Sequence, residues 1–153
     1  MIAAFGPARD DDIPSLVAID ATSPRPWSHD DFAAELQHVA PTLLVLRVQD
    51  EVAAFVVARI QPPEMDIVNV AVAERSRRRG FGRAILLSLF DEVAVAGVTS
   101  VFLEVRESNR EARALYEGLG FKETQRRCRF YKDPDEDAVL MRRPIAPKSR
   151  AEK

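Results

Sequence analysis

One continuous stretch, residues 69–96, constrains the fold of this chain more than any other. An apolar run, Met65 to Val72, leads into an arginine-rich segment, and Gly80 and Gly82 then precede a helical pattern. Apolar residues in that pattern recur at three- and four-residue steps, which places them on one face of a helix. They are Ile85, Leu86, Leu89, Phe90 and Val93. The stretch therefore predicts a strand, a loop and an amphipathic helix in succession.

A strand, loop and helix in this order form an anion-binding structure for physical reasons. The first N–H groups of a helix have no intrahelical partner, and the helix dipole adds partial positive charge at the same end. Glycine lets the backbone approach a phosphate without an intervening Cβ. Four arginines surround the opening: Arg77, Arg78, Arg79 and Arg83. We therefore expect a di- or polyphosphate ligand.

The spacing of the glycines distinguishes among phosphate-binding loops. The dinucleotide pattern G-x-G-x-x-G lacks its third glycine, and the chain has no G-K-[ST] of a P-loop. The pattern that fits is R-x-x-G-x-G, formed by Arg77, Gly80 and Gly82. This pattern resembles the acetyl-CoA pyrophosphate loop of the GCN5-related N-acetyltransferases, the GNAT family.

Hydrophobic periodicity and turn residues predict the element order β-α-α-β-β-β-α-β-α-β-β. The strands are expected at 2–5, 43–48, 52–60, 65–72, 99–105, 121–131 and 138–141, and the helices at 13–21, 29–39, from the two glycines to Gly97, and 109–117. This order predicts an α/β (α+β) fold, a mixed and mostly antiparallel central sheet with helices on both faces. The resemblance implies the same GNAT fold.

Local signals define the first two helices. Asp10 to Asp12 are expected to cap the first helix, and Ser28 the second, with Asp31 in its first turn. Phe32, Leu36 and Val39 are expected on one face of the second helix, which Pro41 ends. Trp27 is interpreted as a packing anchor between the two helices, or alternatively as part of an acceptor groove.

Composition narrows the class of protein. The 153 residues predict one domain over 1–143 and a disordered tail over 144–153. A net charge of −2 argues against dedicated nucleic-acid binding. No apolar run reaches the roughly 18 residues of a membrane span, and the N-terminus lacks a secretory pattern. A single cysteine, Cys128, favours a cytoplasmic location. His29 and His38 lack metal-ligand spacing, so no metal is expected.

A second segment, residues 101–121, resembles the other GNAT signature, in which an asparagine and A-x-x-L-Y-x-x-x-G-F follow a strand. Its matching residues are Asn109, Ala112, Leu115, Tyr116, Gly120 and Phe121. Finer features resemble the ribosomal-protein-alanine N-acetyltransferases within the family: P-W-S at 26–28, N-V-A-V at 69–72, L-E-V-R at 103–106 and E-D-A at 136–138. The resemblance extends over 13–143.

The resemblance implies a role for each matching position. Val70 and Val72, with Ala71 between them, present backbone groups to the acetyl-pantetheine arm of acetyl-CoA, the co-substrate, and Asn109 contacts it near the pantetheine. Glu104 is the general base and Tyr116 the general acid. The pyrophosphate is enclosed by Arg77, Arg78, Arg79, Gly80, Phe81, Gly82 and Arg83. The implied acceptor is the N-terminal alanine of a small-subunit ribosomal protein.

The chemistry of acetyl transfer is consistent with these roles. An α-amine has a pKa of roughly 7.7 to 8, so it is largely protonated at pH 7 and must lose a proton before attack. A carboxylate at Glu104 can accept that proton, and the Tyr116 hydroxyl can protonate the leaving thiolate. Backbone N–H groups of the 65–72 strand can stabilise the oxyanion. Direct transfer in a ternary complex, without metal or acyl-enzyme, is the simplest hypothesis.

Structural alternatives stand beside each role. The arginines can form a solvated basic face, Glu104 a surface carboxylate, Tyr116 a core residue and Asn109 a helix cap. Phe130-Tyr131 replaces the two adjacent tyrosines typical of the ribosomal-protein enzymes, so the acceptor is the less defined part. Other protein N-termini, lysines or small amines are alternative acceptors, and a non-catalytic CoA-binding module is a further alternative.

The attraction of a basic acceptor peptide requires carboxylates near its groove. Glu35 or Asp137 could provide them. This expectation concerns acceptor recognition only and leaves the cofactor loop unaffected.

Overall fold

The fold is that of a computed structural model, which describes residues 3–39, 42–132 and 135–148. Its strands and helices follow one another in the predicted order. The strands are β1 (Ala3–Pro7), β2 (Leu43–Val48), β3 (Glu51–Gln61), β4 (Glu64–Val72), β5 (Ser100–Arg106), β6 (Lys122–Tyr131) and β7 (Glu136–Pro144). The helices are α1 (Ile13–Asp20), α2 (His29–Glu35), α3 (Phe81–Val95) and α4 (Arg110–Gly118).

Hydrogen bonds connect the seven strands in the order β1-β2-β3-β4-β5-β7-β6. The pairs β1–β2, β2–β3, β5–β7 and β6–β7 are antiparallel, whereas β4 and β5 run parallel. The parallel register pairs Glu64 with Ser100 and Ile67 with Leu103. The predicted α/β fold with a mixed, mostly antiparallel sheet is therefore confirmed.

The described chain forms two compact units, and the first comprises residues 1–58 and 69–89. Its core lies between α1, α2 and strands β2 and β3. Phe32 of α2 is fully buried and packs edge-on against Phe55 of β3, with ring centroids 5.4 Å apart. The Trp27 ring lies 5.2 Å from the Phe32 ring and packs against this core, and the Trp27 backbone N–H donates to the Asp20 carboxylate of α1, so the predicted packing role of Trp27 is confirmed.

The second unit comprises residues 59–68 and 90–153. In β5, Val101, Leu103 and Val105 are buried, whereas Phe102 and Glu104 point to the other face and are more accessible. This alternation follows from strand geometry, in which successive side chains point to opposite faces. β6 is one of the two edge strands of the sheet and is almost entirely exposed. The open face of β5 and β6 therefore belongs to this unit.

Two helix ends differ from the sequence-based expectation. The Ser28 cap with Asp31 is confirmed, but α2 ends at Glu35, and Val39 is fully exposed rather than on its buried face. The N–H groups of residues 37 and 38 donate to the carbonyls three residues earlier, so the chain after Glu35 forms tighter turns than those of an α-helix. Asp12 does not cap α1, because its carboxylate accepts bonds from the Arg9 N–H and the Arg47 guanidinium instead.

The C-terminal boundary of the fold differs from the predicted one. Pro144 is the last residue of β7, and Ile145 is buried and donates its N–H to the Thr99 carbonyl, so ordered chain continues past residue 143. The rest of the expected tail, 149–153, lies outside the described residues, as do Ile2, Pro41 and the 133–134 part of the last turn. The single domain over 1–143 stays a prediction.

Candidate active site

The central loop has the backbone of a helix-capping anion site. After β4, a short 3₁₀ turn spans Glu74–Ser76, and the chain then takes left-handed conformations at Arg78 (φ 64°) and Gly80 (φ 79°). The Ala84 N–H donates to the Gly80 carbonyl at 2.9 Å, which makes Gly80 the residue that caps α3. By helix geometry, the N–H groups of residues 81–83 therefore have no carbonyl partner within α3. These three N–H groups are the ones that a phosphate would accept from.

The arginines of this loop differ in their surroundings. Arg77 lies back against the chain, since its guanidinium donates to the Val72 carbonyl at 3.3 Å and to the Thr22 hydroxyl at 3.4 Å. Arg78 and Arg79 are exposed, and Arg83 is exposed in the first turn of α3. The loop therefore combines one arginine that closes it onto β4 with others that add positive charge at the helix opening.

The cofactor-arm residues occupy the end of β4. Val70, Ala71 and Val72 are half-buried, and Asn69 before them donates its side-chain N–H to the Asp20 carboxylate at 3.2 Å. This bond joins β4 to the end of α1 and fixes the strand where the proposed arm would lie. The structure thus places the predicted arm residues and loop residues consecutively in the first unit.

Glu104 lies in the second unit, on the open face of β5. Its side chain is 34% exposed, and one carboxylate oxygen is 3.6 Å from the Arg127 guanidinium of β6. The pairing across β5, β7 and β6 brings these two residues together. A partly exposed carboxylate beside the Arg127 guanidinium remains accessible to an incoming amine. This is the arrangement that a general base needs.

Tyr116 is buried in α4, with 7% of its surface exposed. Its ring contacts Phe121 at 5.7 Å between centroids. Burial raises the pKa of the Tyr116 hydroxyl to about 12, with a smaller contribution from Tyr131. The hydroxyl is therefore protonated throughout the neutral range, as a general acid must be before it donates.

Asn109 caps α4. Its side-chain oxygen accepts the Ala112 N–H at 3.1 Å, which is the geometry of an N-cap. The helix-cap alternative for Asn109 is thus confirmed, and its contact with the cofactor stays a prediction.

An open groove of about 740 Å³ lies on the sheet face of the second unit and includes Glu104. It is formed by β4, β5, β6 and β7, and it is lined by Glu64, Asp66, Ile67, Val68, Phe102, Leu103, Glu104, Thr124, Gln125, Arg127, Phe130, Tyr131, Leu140 and Met141. Sequence reasoning missed Glu64 and Asp66 as groove residues. The sequence signal for them was strand alternation, because Glu64 and Asp66 alternate with the buried Met65 and Ile67 and so point to the opposite face.

The carboxylates expected at the acceptor groove, Glu35 and Asp137, do not line it, and this expectation was wrong. Glu35 is 4% exposed, accepts a short hydrogen bond from the Thr42 hydroxyl, and has the His38 imidazole 3.7 Å away. Asp137 accepts the Arg129 N–H at 3.0 Å within the last hairpin. Both carboxylates therefore organise local chain turns rather than face the groove.

Two negative findings apply to the described residues alone. Across residues 3–39, 42–132 and 135–148, no group of three or more metal-ligating side chains converges. Over the same part of the chain, no helix is both long and apolar enough to cross a membrane.

Known proteins resemble this chain in both sequence and fold. A family model described as Acetyltransferase (GNAT) family matches residues 13–121, most of the chain. The chain belongs to the acetyltransferase (GNAT) family. Among its relatives, the [ribosomal protein bS18]-alanine N-acetyltransferase of Escherichia coli is 40% identical over 123 residues, which cover 79% of this chain and 82% of the relative. The R-x-x-G-x-G and L-Y-x-x-x-G-F signatures in the sequence therefore predicted the GNAT family correctly.

Further GNAT relatives point to N-terminal acetyltransferases. An N-alpha-acetyltransferase of Sulfurisphaera tokodaii is 32% identical over 152 residues, covering 90% of each chain. The crystal structure of the ribosomal-protein-S18-alanine N-acetyltransferase from Escherichia coli matches with a TM-score of 0.86 and 34% identity, covering 97% of both chains. The predicted GNAT fold is thereby confirmed.

Proposed function

We propose that this protein transfers an acetyl group from acetyl-CoA to the N-terminal α-amine of alanine in a small-subunit ribosomal protein. The observation that carries the proposal is the 40% identity, over 79% of the chain, to an Escherichia coli enzyme named for that reaction. The reaction is placed in the cytoplasm, where ribosomal proteins are made.

The pyrophosphate and most of the acetyl-pantetheine contacts of the donor are assigned to residues of the first unit. The N–H groups of residues 81–83 and the left-handed backbone at Gly80 suit a pyrophosphate, and the arginines at Arg77, Arg78, Arg79 and Arg83 complement its charge. Backbone groups of Val70, Ala71 and Val72 are proposed to hold the acetyl-pantetheine arm, with Asn109 as a further contact. An N–H group of this β4 segment would donate to the oxyanion that forms during transfer.

The acceptor amine is activated by Glu104 in this proposal. The carboxylate accepts a proton from the ammonium group, directly or through one water, and the neutral amine then attacks the thioester carbonyl. Arg127 would orient the carboxylate in the absence of acceptor, since the two groups lie 3.6 Å apart. The role of Arg127 is positional, because its guanidinium contacts the Glu104 carboxylate and acts on the reaction only through it.

The leaving thiolate is protonated by Tyr116. Its high pKa keeps the proton on the oxygen until negative charge develops nearby, when transfer or a strong hydrogen bond becomes favourable. The amine attacks and the thiolate leaves in one ternary complex, so the reaction requires no covalent acyl-enzyme.

Acetylation of other protein N-termini is the second candidate. The observation that favours it is the 32% identity to the Sulfurisphaera tokodaii N-alpha-acetyltransferase over 90% of the chain. It shares the donor site and the base, and it differs only in which N-terminal residue the acceptor groove accepts.

Purified, unacetylated S18-type ribosomal protein with an N-terminal alanine tests the proposal. Incubation with acetyl-CoA should add one acetyl group, and fragmentation in a mass spectrometer should locate that group on the α-amine of residue one. Acetylation confined to lysine side chains would contradict the proposal. A serine-starting variant of the same protein, acetylated at an equal rate, would favour the broader second candidate.

A further inference from the structure

The groove around Glu104 has an apolar floor that is open to solvent. Val68 and Phe130 line it and are 47% and 46% exposed, and the half-buried Phe102 and Leu140 lie beside them. In the described chain, four large apolar side chains are markedly exposed, and this groove contains two of them. Such a concentration of exposed apolar surface indicates a binding face rather than scattered surface residues.

The charges of the groove are unequal in sign. Glu64, Asp66 and Glu104 contribute three carboxylates, whereas Arg127 is the one cation among the lining residues. Arg127 pairs with Glu104 and also lies over the Phe130 ring at 5.4 Å. Within the described ranges, Glu64 and Asp66 have no ion-pair partner. Arg142 of β7 is the register partner of Phe102 and donates to the Ser100 hydroxyl beside Glu64, but it does not line the groove. The lining residues therefore carry a net negative charge, which favours a cationic occupant.

The strand register gives the spacing of these carboxylates. Asp66 pairs with Phe102, two residues before Glu104, and Glu64 pairs with Ser100. From a strand rise of about 3.3 Å per residue and a strand separation of about 4.8 Å, the Cα of Glu104 lies about 8 Å from that of Asp66 and about 14 Å from that of Glu64. An extended peptide advances by about the same rise per residue. Its third to fifth residues would therefore reach these two carboxylates when its amine is at Glu104.

We propose that this groove binds the acceptor as an extended peptide, and that Asp66 and Glu64 select a lysine or arginine at its third to fifth position. The inference rests on the proposed function and adds a specificity determinant to it. A peptide suits the face better than other cations do, because its backbone and side chains cover the apolar floor at Val68 and Phe102 while its basic group reaches the rim. Nucleic acid is disfavoured by the same carboxylates.

Two alanine-starting peptides test the inference, one with lysines at positions three to five and one with glutamines there. Both turnover and binding are measured, the latter by fluorescence anisotropy of labelled peptide with CoA present, so that no transfer occurs. We expect the lysine peptide to have a KM and Kd about three- to tenfold lower, an advantage that falls as salt is raised. Asp66→Asn and Glu64→Gln should each raise the KM of the lysine peptide towards that of the glutamine peptide, with kcat unchanged.

A control variant and a charge reversal make the result specific. Glu92→Gln removes an exposed carboxylate of α3 in the same unit but outside the groove, and it should leave the lysine preference intact. Asp66→Lys should favour a peptide with glutamates at positions three to five. If Asp66→Asn lowers activity equally on the lysine and glutamine peptides, the residue has a structural role and the inference is wrong.

The two readouts separate this inference from the proposed function. Equal binding and equal acetylation of both peptides would overturn the groove assignment and leave the proposed function intact. Preferential binding of the lysine peptide without any acetylation would support the groove and contradict the proposed function. Failure of both peptides to bind would overturn both, and tighter binding and faster acetylation of spermidine would overturn the assignment of a peptide occupant.

Discussion

Glu104 and Tyr116, the proposed base and the proposed acid, lie in opposite environments. The Glu104 carboxylate is partly exposed beside one guanidinium, so it can meet a protonated amine from solvent. The Tyr116 hydroxyl is buried, which raises its pKa and keeps it protonated. These environments support the proposed choice of Tyr116 as the acid and Glu104 as the base.

Replacing Glu104 by glutamine removes the proposed base but keeps the shape of the side chain. We expect Glu104→Gln to lower kcat by about 10²- to 10⁴-fold at pH 7, with acetyl-CoA binding unchanged. The deficit should shrink near pH 9, because an α-amine with a pKa of about 8 is then already neutral. Steady-state kinetics across pH and titration calorimetry measure the two properties. A Glu104→Gln variant as fast as Glu92→Gln at pH 7 would remove the base assignment.

Replacing Tyr116 by phenylalanine tests the acid and its titration together. Below pH 10 the hydroxyl is neutral in both the folded and unfolded states. Between pH 10 and about 12 the unfolded chain releases this proton while the folded protein retains it, so the free energy of unfolding falls as pH rises. The loss approaches about 1 to 3 kcal/mol near pH 12.

Tyr116→Phe lacks that loss, and we expect its stability to fall less steeply than that of the original protein above pH 10. We also expect its kcat to be lower by about a hundredfold at pH 7. Denaturant unfolding between pH 8 and 11 and acetyl-transfer assays measure these effects. Parallel stability curves, together with an unchanged kcat, would contradict both the buried hydroxyl and its catalytic role.

At the scale of elements, the loop between β4 and α3 depends on a backbone that glycine provides. Gly80 has φ 79°, and an added Cβ would meet nothing within 4 Å, so any cost of Gly80→Ala comes from the left-handed conformation. We expect Gly80→Ala to reduce stability by about 1 kcal/mol and to weaken acetyl-CoA binding, because the N–H groups of residues 81–83 shift.

The matched control for that substitution is Gly118→Ala in α4. Its added Cβ also meets nothing within 4 Å, but its φ is not in the left-handed range. We expect this variant to keep or slightly raise stability and to bind acetyl-CoA normally. Thermal unfolding and calorimetry of both variants provide the measurement, and equal behaviour of the two would refute the role of backbone conformation at Gly80.

The order and type of the elements were predictable because their signals are local. The face of α3, the Ser28 cap and the alternation in β5 each depend on residues close in sequence. The end of α2 and the bonding of Asp12 were not predictable in this way, because Glu35 bonds Thr42 and Asp12 bonds Arg47, 35 residues further along the chain. The Glu104–Arg127 pair likewise depends on the register of β5, β7 and β6, which no local pattern specifies.

At the scale of the whole molecule, ligand binding should appear as stability. Acetyl-CoA at about a hundred times its Kd should raise the free energy of unfolding by about 3 kcal/mol, because a ligand that binds only the folded state stabilises it. Since arginines and helix N–H groups are proposed to hold the pyrophosphate, the rise should shrink with added salt.

Pantetheine is the control ligand, because it carries the arm without the phosphates. We expect it to shift the thermal midpoint much less than acetyl-CoA at equal concentration. Equal shifts from the two ligands in thermal unfolding would show that the loop at residues 77–83 does not bind phosphate.

The central claim is acetyl transfer to an N-terminal alanine, and a competition among peptides tests it most directly. Peptides starting with alanine, serine or methionine, and an N-blocked peptide with a free lysine, are mixed at equal concentration with acetyl-CoA and limiting protein. Mass spectrometry then follows each product. We predict that the alanine peptide is acetylated first, on its α-amine, at least about tenfold faster than the lysine peptide, a difference of about 1.4 kcal/mol in transition-state stabilisation. Faster acetylation of the lysine peptide would contradict the account.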